Sequence, residues 1–74
     1  MEYKINGKTY KAIKTDESDD NFTEYDVFID EGLAGNITRY ASDNRFSVWN
    51  TGGEKTGESR TLKGAVEVVA AIFE

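Results

Sequence analysis

The sequence predicts an α+β fold: an N-terminal β-hairpin and a three-stranded antiparallel sheet, packed on one C-terminal α-helix. Three observations lead there. Asn6-Gly7 stands between two short alternating runs. Three further stretches between Phe22 and Asn50 alternate apolar with polar residues. From Thr61 to Phe73, Leu62, Ala65, Val66, Val69, Ile72 and Phe73 recur at helical spacing and make one apolar stripe. With 74 residues the chain is expected to form a single domain over 1–74.

The hairpin spans 1–14. Asn-Gly is a preferred type I′ turn because both central residues need a positive φ. A two-residue loop places Tyr3 opposite Tyr10, Ile5 opposite Lys8 and Glu2 opposite Lys11. Met1, Tyr3, Ile5, Tyr10 and Ala12 then share one face, while Ile13 falls out of phase. Residues 15–21 read as an acidic loop, too charged to pack. Asp16, Ser18 and Asp20 alternate as calcium ligands do, but Val27 stands where the closing bidentate Glu belongs, so a solvated loop is expected and no metal.

The sheet occupies 22–50. Tyr25, Val27 and Ile29 point to one side, and Glu24, Asp26, Phe28 and Asp30 to the other. A three-residue loop, Glu31-Gly32-Leu33, pairs Ile29 with Gly35, Val27 with Ile37 and Tyr25 with Arg39. A tight turn at Asp43-Asn44 then pairs Ala41 with Phe46 and Arg39 with Val48. These registers gather Tyr25, Val27, Ile29, Ile37, Ala41, Phe46 and Val48 on an inner face, with Arg39 snorkelling from one end. Residues 51–59, with Gly52, Gly53 and Gly57, form a flexible connector. Lys55-Thr56-Gly57 has the wrong order for a phosphate loop. Ser59–Thr61 suits a short edge strand.

The helix covers 61–73, with Thr61 as its N-cap. Gly64 costs about 1 kcal/mol against Ala there, and Val66, Val68, Val69 and Ile72 are β-branched. A buried strand is the rival, but strands usually run only about 5–6 residues, and this stripe is longer.

Composition narrows function by exclusion. The chain has no His and no Cys, which removes the usual neutral-pH base, thiolate chemistry and any Ser-His-Asp triad. No carboxylate pair is positioned by a recognisable signal, so no enzyme and no cofactor are expected. Lacking an apolar run of about 20 residues and an apolar leader, the chain is expected to be cytoplasmic and free of membrane. Net charge is −5. Residues 1–14 set four lysines against Glu2; residues 15–38 hold eight acids and no base; the remainder is balanced. The acidic middle repels duplex nucleic acid and attracts a basic protein surface.

The candidate site lies on the sheet face opposite the helix. Phe28, Tyr40 and Trp49 fall there with Glu24, Asp26, Asp30 and Arg45. Such a face is either covered by the first hairpin or exposed as an acid-rimmed aromatic patch. Tyr, Trp and Arg are the residues most enriched in binding hot spots. The expected function is therefore a small acidic, non-catalytic protein-binding module for a partner with a basic surface. The alternative is a nucleic-acid-binding sheet. The order of three strands and a C-terminal helix resembles plant AP2-type and integrase arm-binding domains, which lay strands into a groove. Those readers present basic strands, whereas Glu24, Asp26 and Asp30 make this one acidic. In size and charge the chain resembles accessory or inhibitor proteins carried by phages and mobile elements, such as anti-CRISPR proteins that mimic DNA charge.

Overall fold

The computed structural model describes residues 1–16 and 18–72; Glu17 of the expected acidic loop and Phe73 and Glu74 at the helix end lie outside the described residues. Six strands precede one helix: β1 (Glu2–Ile5), β2 (Lys8–Lys14), β3 (Phe22–Ile29), β4 (Gly32–Tyr40), β5 (Phe46–Trp49), β6 (Lys55–Ser59) and α1 (Leu62–Ile72). The strands follow one another in a single antiparallel sheet that curls into a half-barrel. The expected separate hairpin beside a three-stranded sheet is thereby corrected at both edges.

At the first edge, β2 is longer than the hairpin requires. Tyr10 pairs with Ile29, Ala12 with Val27 and Lys14 with Tyr25. The hairpin's apolar face thus continues the apolar row of β3, and the shared ladder satisfies backbone groups that β3 would otherwise expose. At the other edge, the expected connector contains β6. Phe46 pairs with Ser59, Ser47 with Glu58 and Val48 with Gly57. The loop between β5 and β6 is shorter than expected, with Asn50 N donating to Glu54 O (2.9 Å) and its Oδ1 accepting from Glu54 N (2.9 Å).

Asn6 (φ 52°) and Gly7 (φ 81°) form the I′ turn that their identity demands. The next two registers differ from expectation by two residues each. Asp30 (φ 49°) and Glu31 (φ 69°) make a second two-residue turn without glycine. They pair Ile29 with Gly32 and Phe28 with Leu33, and a bulge at Ala34 then pairs Val27 with Gly35 and Tyr25 with Ile37. Ile37, not Arg39, faces Val48. A slip of two preserves which side each residue faces, so the inner face survives. The exception is Ala41, which lies beyond β4 and is exposed.

The core is Tyr10, Ala12, Val27, Ala34, Ile37 and Val48 from the sheet with Ala65, Val66, Val69 and Ala70 from α1. Thr61 caps the helix, its Oγ1 accepting from Gly64 N at 3.0 Å. Glycine at position 64 has a packing reason, since a Cβ there would collide with Ser59 Oγ. The helix touches β6, β5, β4, β2 and β1. It therefore spans from one edge of the half-barrel to the other, filling the opening a closed barrel would not have. Arg39 stays half-buried rather than extending to solvent: its guanidinium lies over the Phe46 ring, 5.4 Å from the centroid. Among the described residues no helix is long and apolar enough to cross a membrane.

Candidate functional site

Because β1 and β2 extend the sheet sideways, they do not fold over its outer face. Alternation then decides what that face displays. In β2 the buried residues are Tyr10 and Ala12, so Thr9, Lys11 and Ile13 point away from the helix. Two rows cross the strands. One runs Lys11, Phe28, Leu33; the other runs Ile13, Asp26, Asn36, Trp49, Lys55.

Two shallow concavities result. The first, about 360 Å³, is lined by Thr9, Lys11, Ile13, Phe28, Asp30 and Glu31. The second, about 340 Å³, lies between Leu33 and Trp49 and includes Asp26, Asn36, Thr38 and Asn50. Phe28 and Leu33, directly paired, form the ridge between them. Ile13, Phe28, Leu33 and Trp49 thus share one face over β2 to β5, Ile13 and Phe28 lining the first concavity and Leu33 and Trp49 the second. Ile13 is 52% exposed and Leu33 51% exposed.

Of the residues expected at the site, the structure brings Asp26 and Trp49 together in one concavity and Phe28 and Asp30 in the other. Glu24, Tyr40 and Arg45 line neither. Tyr40, 59% exposed, packs instead on Phe22 with ring centroids 5.1 Å apart. Glu24 is held by the loop, accepting from Thr15 Oγ1 at 2.9 Å. Arg45 donates to Glu58 Oε1 at 2.7 Å, and Lys55 reaches Glu58 Oε2 at 3.2 Å. The Arg45 hydrogen bond, followed by that of Lys55, holds the Glu58 carboxyl below its usual value.

Sequence reasoning missed Ile13, Leu33 and Asn36. The signal for Ile13 was its phase: a residue that breaks the hairpin's inner alternation belongs on the outside. Leu33 was hidden by its place next to glycine, which reads as a loop.

The acids of this face form no ion pair among the described residues, although Lys11 lines the same concavity as Asp30 and Glu31. Among the described residues the ion pairs are those of Glu58, and none involves Asp26, Asp30 or Glu31. Asp26 is instead fixed by a neutral partner, accepting from Asn36 Nδ2 at 3.1 Å. Trp49 Nε1 donates to Thr38 Oγ1 at 2.9 Å, which locks the indole across the strands. Among the described residues no cluster of carboxylates could hold a metal ion. The chain matches no protein-family model, no curated protein and no solved structure.

Proposed function

We propose that this chain is a non-catalytic protein-binding module that acts in the cytoplasm and covers a basic surface of its partner with the helix-free sheet face. The observation that carries this reading is the set Ile13, Phe28, Leu33 and Trp49 on one sheet face, exposed at Ile13 and Leu33, half-buried at Phe28 and Trp49, and bordered by carboxylates that form no ion pair among the described residues. An apolar centre with a charged rim is the anatomy of a protein interface. The unpaired acids favour and steer a cationic partner over a neutral one. The size and charge fit an inhibitor or accessory protein of the kind phages and mobile elements carry, working by occlusion.

The test is affinity capture with two baits of equal thermal stability, the natural chain and a Phe28→Ala/Leu33→Ala variant. The natural bait should enrich a basic protein that elutes with salt and that the variant fails to hold. Identical captures on both baits would overturn the reading. Labelled single- and double-stranded nucleic acid should give flat anisotropy titrations at low salt.

A further inference from the structure

We propose that the concavity between Leu33 and Trp49 is an arginine-binding site, taking one guanidinium from the partner protein; this deepens the reading above and rests on it for the identity of the arginine's owner. The argument is a count of donors and acceptors. Trp49 has one donor, Nε1, and it is used on Thr38 Oγ1 (2.9 Å). Asn36 uses its Nδ2 on Tyr25 O (3.3 Å) and Asp26 Oδ1 (3.1 Å). Both partners can only accept, so the amide orientation is fixed by chemistry and Asn36 Oδ1 is the atom left over. Asp26 Oδ2 is left over as well, on a carboxylate with no cation among the described residues. Asn50 Nδ2 and the Thr38 and Thr51 hydroxyl hydrogens are the donors that remain.

The Asp26 carboxylate oxygen and the Asn36 amide oxygen accept, Asp26 brings negative charge, and the indole brings an aromatic surface, so together they favour a flat cation. Guanidinium is such a group: five N–H donors, no acceptor, a fixed charge and a plane that stacks on Trp. An ammonium matches the charge but not the plane. A neutral sugar meets both donors and acceptors here but gains nothing from the Asp26 charge, and an anion is repelled by Asp26. The volume of about 340 Å³ is at the low end for ligand sites, roughly 300–1,000 Å³, and suits one side chain. A second copy of this chain is the less favoured owner, since two molecules of net charge −5 repel at long range.

The experiment titrates the intact protein with N-acetyl-arginine amide and reads proton–nitrogen correlation spectra at the Trp49 indole N–H and the Asn36 side-chain amide. Parallel titrations use N-acetyl-citrulline amide, a neutral isostere, N-acetyl-lysine amide and methyl glucoside. Arginine should give saturable shifts at both groups in the millimolar range, and citrulline should bind at least about tenfold more weakly, as loss of a charge-assisted contact predicts. Asp26→Asn should weaken arginine by a similar factor, with Asp26→Glu retaining part of it. No shifts with arginine, citrulline binding as tightly as arginine, or glucoside binding best would each overturn the site. The probe needs no partner, so the two proposals fail separately. A silent arginine titration beside a successful capture removes this site alone. A positive titration beside identical captures removes the partner reading alone.

Discussion

Gly35 sits where three parts of the molecule meet. A Cβ there would lie 2.9 Å from the Trp49 carbonyl oxygen and 3.5 Å from Val69 Cγ2. The first contact is with backbone, which cannot turn aside, so Gly35→Ala should lower the unfolding free energy by about 1–3 kcal/mol, read by urea denaturation. Gly57 is the useful contrast. Its Cβ would also come within 2.9 Å of a neighbour, but the neighbour is the Val68 Cγ1 methyl, which can move, and Gly57→Ala should cost less. Glu58 makes a different prediction at the same scale. Its folded pKa is lowered from 4.5 by the hydrogen bond from Arg45 and then by Lys55. A carboxyl depressed in the folded state contributes stability above its unfolded pKa and loses that contribution as pH falls through the folded value. The stability gap between the natural chain and Glu58→Gln should therefore be small at neutral pH, because the pair is solvent-exposed, and close below the usual glutamate value of 4.5. A gap that widened in acid would contradict this assignment.

At the scale of elements, the turns decide what a sequence reader can and cannot recover. Asn6-Gly7 names its own turn type, and the register it implied, Tyr3 with Tyr10 and Glu2 with Lys11, is the one observed. Asp30-Glu31 takes the same two-residue form with neither residue a glycine, and Gly32 beside it draws the eye to the wrong place. Glu31 at φ 69° pays a left-handed penalty of roughly 1–2 kcal/mol that glycine avoids, set against glycine's greater entropy when unfolded. Glu31→Gly should consequently raise the melting temperature, with a net gain of up to about 1 kcal/mol. The bulge at Ala34 was equally illegible, since an inserted residue leaves no periodic trace. Strand β6 was missed because Lys-Thr-Gly-Glu-Ser has no apolar alternation; it pairs with β5 through its backbone and offers Gly57 where Val68 crosses. What was legible was parity. Errors of two residues keep every side chain on its side, so Phe28, Asp26 and Trp49 were found on the outer face although their neighbours were not. Parity alone could not say which of them meet, and so grouped Tyr40 and Arg45 with residues whose concavities they do not line.

Over the whole molecule, the two faces of one curled sheet differ in burial, and under the proposed function magnitudes distinguish them. A chain of this size holds a margin of only about 3–5 kcal/mol, and α1 supports it by lying against both edge strands. Ile37 is fully buried between Tyr25 and Val48, and Ile37→Ala should cost about 2–5 kcal/mol, comparable to the entire margin. Such a variant should lose cooperative thermal unfolding, and with it any binding, without informing on the outer face. Leu33 is 51% exposed, so truncating it forfeits little burial, and Leu33→Ala should leave the melt within about 1 kcal/mol of the natural chain. Under the proposed function its effect belongs to association instead: removing half of the Phe28–Leu33 ridge should raise the dissociation rate of a captured partner while a salt dependence from Asp26 and Asp30 persists. Measured together, the pair gives a double dissociation between stability and binding. If Leu33→Ala melted like Ile37→Ala, the outer stripe would be a structural part of the sheet, and its exposure would have another cause than recognition.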